Sequence, residues 1–135
     1  MKFGIFDHVD RSDLVLSELL DKRLEYVKAV EAAGFYSYHV AEHHATPLNL
    51  VPVPGVYLGA VANATSTIRL GPLVYLLPLY SPLRLIEEIS IFKRQFVKFL
   101  LIDYSLKLIL LICYHALLNQ NHLLVEMFHQ IFTEL

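Results

Sequence analysis

Glu42, His43 and His44 place a carboxylate beside two imidazoles directly after the aromatic and β-branched run Tyr36–Val40. Imidazole titrates near neutral pH, so such a group can give or take a proton during a reaction, with the carboxylate as partner. Asp7 and His8 follow an earlier apolar run, Lys2–Phe6, in the same way. The plainer alternative has these side chains capping helices or bonding backbone in a polar loop. A metal site built from His8, His39, His43, His44 and Glu42 is the other alternative. Adjacent residues in an extended segment point apart, and neither H-x-H nor HExxH spacing occurs, so no metal ligands are expected.

Elements of alternating type must position these residues. Lys2–Phe6 reads as a buried strand. From Ser17 to Ala33 the period is helical, with Leu20, Leu24, Val27 and Val30 on one stripe and Gly34 placed to end it. Tyr36–Val40 is the second strand. Pro47–Pro54 is a loop, Gly55–Ala64 a small-residue helix, and Ile68–Leu77 a third strand stopped by Pro78. A third helix starts near Pro82 and carries Leu85, Ile89, Phe92 and Phe96 on its apolar stripe. Strand starts near 2, 36 and 68 repeat every 32–34 residues, the length of one βα unit. Three such units in a row predict a parallel sheet, and residues at the carboxyl ends of its strands would share one rim. There is no GxGxxG and no Walker loop, which favours a barrel over nucleotide-binding sheets. The expected fold class is therefore α/β, a partial TIM (β/α)8 barrel of about three βα units, over residues 1–94.

Residues 95–135 differ in kind. All five glycines and all six prolines lie at or before Pro82, and nine of the eleven Lys and Arg lie in the first 94 residues. Residues 96–135 hold fifteen Leu or Ile. A mainly helical, apolar and atypical tail is expected. A transmembrane helix over Leu100–Leu118 is opposed by Asp103, Lys107 and His115, so no membrane partner is expected. A helical cap or dimerisation segment is a second reading. The third is a frame change after about Phe92, which the missing turn residues and the abrupt loss of charge favour. The whole chain of 135 residues is well short of the roughly 250 of a complete barrel. Net charge is −2, so no electrostatic case exists for nucleic acid. One cysteine, Cys113, excludes an internal disulfide and fits a reducing, cytoplasmic setting. The N-terminal apolar run is broken by Asp7 and is not a signal peptide.

Three blocks carry a resemblance. KFGIFDHVDR, GFYSYHVAEHH and STIRLGPLVYLLPLYSPLRLIEEISIF occur in the order and spacing of the N-terminal third of luciferase-like flavin-dependent monooxygenases. The resemblance covers residues 1–92 and implies a (β/α)8 barrel that uses reduced FMN or a related deazaflavin to activate oxygen or move hydride. It implies that His43 lies near the reactive edge of the flavin, as an acid/base or intermediate-stabilising group, with Glu42 as its partner. It implies that Phe6, His43, Leu73 and Val74 contact the cofactor, the last two on a third-strand bulge that in many members contains a non-proline cis bond. Arg84, Glu87 and Glu88 match the third-helix pattern, where a solvated face is the expected role. The partners implied are a small-molecule substrate and oxygen, with a homo-oligomer possible.

The match stops at Lys93-Arg94-Gln95-Phe96-Val97-Lys98-Phe99-Leu100, where the family continues with a D-x-L-S-x-G-R segment and a Gly- and Arg-containing loop. Two functions of different class follow. One is a flavin-dependent oxidoreductase or monooxygenase, truncated and inactive alone. The other is a non-enzymatic fragment that self-associates through sheet edges and an apolar tail.

Overall fold

The computed structural model describes residues 1–95. The expected tail 95–135, and Phe96 of the third-helix stripe, therefore lie outside the described residues except for Gln95. Three four-residue strands, β1 (Gly4–Asp7), β2 (Ser37–Val40) and β3 (Arg69–Pro72), form a parallel sheet in the order β1-β2-β3. Helices α1 (Leu16–Ala32), α2 (Pro54–Ala64) and α3 (Pro82–Gln95) follow the strands in turn.

Local chemistry explains the boundaries. At the end of α1, Gly34 has φ +80° and its N–H reaches the Glu31 carbonyl, while the Phe35 N–H returns to Val30. That pair of bonds is a Schellman ending, which needs a left-handed residue that glycine supplies without steric cost. On β2, Tyr38 and Val40 are fully buried against the helices, and His39 lies on the opposite face. The core joins Val27 and Val30 of α1, Leu58 and Val61 of α2, Leu70 of β3 and Phe92 of α3. Leu20 and Leu24, expected at the centre of the α1 stripe, are only partly buried at its edge. Leu85 and Ile89 are buried as the helical stripe requires, in a second cluster with Ile86 and Tyr75.

β3 is shorter than the expected Ile68–Leu77. It ends at Pro72, and the Leu73–Val74 peptide that follows is cis. The Leu73 N–H still bonds the Val40 carbonyl at 2.9 Å, but the Leu76 N–H turns to the Glu42 carboxylate. Tyr75 is drawn into the α3 cluster, and Leu77–Leu79 forms a short 3₁₀ turn. The apolar run thus continues past the strand because it packs on α3, not because it pairs.

Candidate functional site

Register sets the rim. Asp7 pairs with Val40 and Val40 with Pro72, so the residues that follow all three strands leave on the same side. Those residues are His8, Glu42 with His43, and Leu73 with Val74, which brings together the sites expected from the sequence. The β1–α1 and β2–α2 segments are zipped across this rim by three backbone bonds. The Ala41 N–H bonds Asp7 O (2.9 Å), the Leu50 N–H bonds Val9 O (3.0 Å) and the Arg11 N–H bonds Pro47 O (2.9 Å).

His43 is half-buried and stacks on His8, with ring centroids 5.3 Å apart and 15° between planes. Phe6 meets the other ring edge-on at 4.7 Å and stays 49% exposed. His43 has no hydrogen-bond partner among the described residues. Leu73 is half-buried and Val74 is 46% exposed, so the cis segment presents an apolar shelf at the rim. Aromatic, apolar and imidazole groups in this arrangement suit a planar ring system better than a phosphate.

Two expected roles are corrected. Glu42 was expected beside His43, but its side chain is wholly buried and turned to other partners. It accepts a bond from His44 Nε2 (2.8 Å) and one from the Leu76 N–H (2.9 Å). The Tyr80 hydroxyl lies near this carboxylate; burial and then the Glu42 charge hold that phenol well above its usual range. With one oxygen on His44 and the other on the Leu76 N–H, this buried carboxylate fixes the segment after β3. Asp7 was expected on the rim, yet strand alternation turns it to the helix side. There it meets the Tyr38 hydroxyl at 2.6 Å and Arg23 at 3.1 Å, and Tyr38 in turn contacts the Tyr57 hydroxyl at 3.2 Å.

One further role escaped the sequence. Glu88, read as part of a solvated face with Arg84 and Glu87, accepts the Tyr75 hydroxyl at 2.8 Å, while Arg84 and Glu87 are exposed. His39, weighed in the sequence as a metal ligand, lies on the inner face of the sheet, where burial lowers its pKa and the Gly71 backbone partly offsets that. The polar position at each offset was visible, but which face it took depends on register. No group of three His, Cys, Asp or Glu is placed to hold a metal among the described residues. Among them, also, no helix is long and apolar enough to cross a membrane.

Comparison with known proteins gives this rim a context. Residues 1–94 match the family model described as luciferase-like monooxygenase. The chain is 46% identical over 89 residues to the uncharacterized protein y4wF of Sinorhizobium fredii, covering 66% of this chain and 26% of that protein. It is 28% identical over 90 residues to the oxygenase component of the flavin-dependent trigonelline monooxygenase of Acinetobacter baylyi, covering 65% and 25% respectively. Among solved structures, the oxygenating constituent of 3,6-diketocamphane monooxygenase of Pseudomonas putida, in complex with FMN, shares the fold. Its TM-score is 0.64 at 23% identity, over 70% of this chain and 26% of that one. The chain spans about a quarter of the length of the curated relatives it matches.

Proposed function

Because this chain belongs to the family of luciferase-like monooxygenases, we propose that residues 1–94 are the first portion of a (β/α)8 barrel that binds FMN at the rim of His8, His43, Leu73 and Val74. The observation that carries this reading is the placement of a half-buried His43, without a hydrogen bond among the described residues, on the same rim as the apolar Leu73–Val74 shelf. Bound reduced flavin, or a related deazaflavin, would supply the electrons that activate oxygen toward a small-molecule substrate. The shelf of Leu73 and Val74 supports the flat ring, and Phe6 shields its side. His43 is the proton-handling residue, because its ring nitrogens have no hydrogen-bond partner among the described residues. Glu42 holds the shelf in place through the Leu76 N–H. The single cysteine and unremarkable charge agree with a cytoplasmic setting.

The same reading holds that the chain by itself is catalytically incompetent. Phosphate affinity in such barrels comes mostly from loops after later strands. Each charge-assisted bond forgone loses about 1.5–3 kcal/mol, so three weaken binding roughly a thousandfold or more. Flavin fluorescence tests this on the purified chain: no saturable micromolar quenching is expected. Micromolar binding that disappears in His43→Ala would overturn the incompetence while keeping the site. A second reading, a self-associating non-enzymatic fragment, is favoured by the exposed Phe3 and Phe6 beside the β1 edge. Concentration-dependent oligomers in sedimentation, dispersed by Phe6→Lys, are its signature.

A further inference from the structure

From the ring geometry at the rim we infer that His8 is a positioning residue for His43: its imidazole face sets the plane in which the His43 ring meets its ligand. The inference rests on the flavin reading for its purpose, though not for its geometry. His43 has no hydrogen bond to orient it among the described residues, and the neighbouring Glu42 is committed to His44 and Leu76. A side chain free of such bonds would otherwise rotate about χ1 and χ2. What contacts the ring is His8, nearly parallel at 15° and with centroids 5.3 Å apart, inside the range of a stabilising offset stack.

His8 can serve as a fixed surface because its ring meets Phe6 and its chain neighbours on both sides are anchored. Phe6 meets its ring edge-on at 4.7 Å and 66°. Its chain neighbour Val9 is fully buried, and the Val9 N–H is capped by Asp7 Oδ1 at 3.2 Å. The bonds from Ala41 to Asp7 and from Leu50 to Val9 bracket His8 and lock its segment to the one that carries His43. Phe6, His8 and His43 therefore form one aromatic series from the inner face of β1 to the end of β2. The His8 Nδ1 atom is buried without a partner among the described residues. No polar bond at that atom fixes the ring, so packing does.

The test compares the whole chain with His8→Ala, His8→Leu and His8→Phe by proton NMR of the imidazole ring signals. The His43 resonances among the seven histidines are identified by their loss in His43→Gln. A parallel ring above His43 shifts its ring protons upfield. We expect that shift to vanish in His8→Ala and in His8→Leu and to be restored by the flat ring of His8→Phe. Unmoved His43 signals in the Ala and Leu variants, or failure of Phe to restore the shift, would overturn the role. The Leu variant keeps apolar bulk and answers the question if the Ala variant does not fold. Adding FMN to the wild-type chain is the separate arm. If the ring-current pattern holds but millimolar FMN leaves His43 untouched, the flavin reading fails and the positioning role stands.

Discussion

Glu42 and Leu76 are 34 positions apart, and the carboxylate of one accepts the backbone N–H of the other at 2.9 Å. This bond ties the end of β2 to the segment beyond the Leu73–Val74 shelf. Replacing Glu42 by Ala leaves the part-buried Leu76 N–H and the His44 ring without their acceptor and empties a buried position. The expected loss is about 2–4 kcal/mol in a urea denaturation series, with Glu42→Gln losing about half as much because one acceptor oxygen remains. Amide exchange at Leu76 should accelerate more than at Val27 in the α1 core. Equal acceleration at both positions would mean that Glu42 acts only on global stability.

Gly55, in the first turn of α2, is packed against the Glu88 carboxylate so closely that an added Cβ would collide with Glu88 Oε1. Glu88 is held in turn by the Tyr75 hydroxyl at 2.8 Å. Gly55→Ala should push Glu88 away and break that bond, at a cost of about 1–2 kcal/mol despite alanine's better helix propensity. Paired with Tyr75→Phe, the two changes should be less than additive in a double-mutant cycle. Strict additivity would show that Glu88 moves aside without losing Tyr75.

Much of this architecture was legible from residue pattern. The helical stripe of Val27, Val30, Leu85, Ile89 and Phe92 and the ending at Gly34 follow from local period and turn chemistry, which do not depend on distant residues. The single rim followed from the repeat of strand starts. What the pattern did not reveal depends on register and long-range packing. The apolar run after Pro72 looks like strand, because Tyr75 and Leu77 suit either pairing or packing on α3. Glu42 and His43 looked like partners because they are adjacent, but the chain turns one inward to Leu76 and leaves the other on the rim. The His8–His43 stack joins residues 35 positions apart, and only the paired strands set that distance.

Glu31 shows how a surface carboxylate can become a structural anchor. It accepts the backbone N–H groups of Ser66, Thr67 and Ile68 and thereby pins the start of β3 to the end of α1. Burial opposes its charge, but these amides outweigh that and hold its pKa at about 2, below the usual 4.5. A depressed carboxylate pKa stabilises the fold above the unfolded value and loses that contribution as pH falls through the folded one. The amide shifts of Thr67 and Ile68 should therefore titrate with a midpoint near 2. Stability should fall between about pH 4.5 and 2, and more steeply than in Glu31→Gln. A midpoint above 4 at those amides would contradict the anchor.

The central claim is that the shared rim of β1, β2 and β3 carries the flavin site. The most direct measurement is an FMN titration of the whole chain followed by heteronuclear NMR at each backbone amide. Weak, fast-exchange binding is predicted, with the largest shift changes at His8, His43, Leu73 and Val74, and a loss of those changes in His43→Ala. No shift change at millimolar FMN, or changes clustered at Lys2, Tyr36 and Arg69 at the opposite ends of the strands, would contradict it.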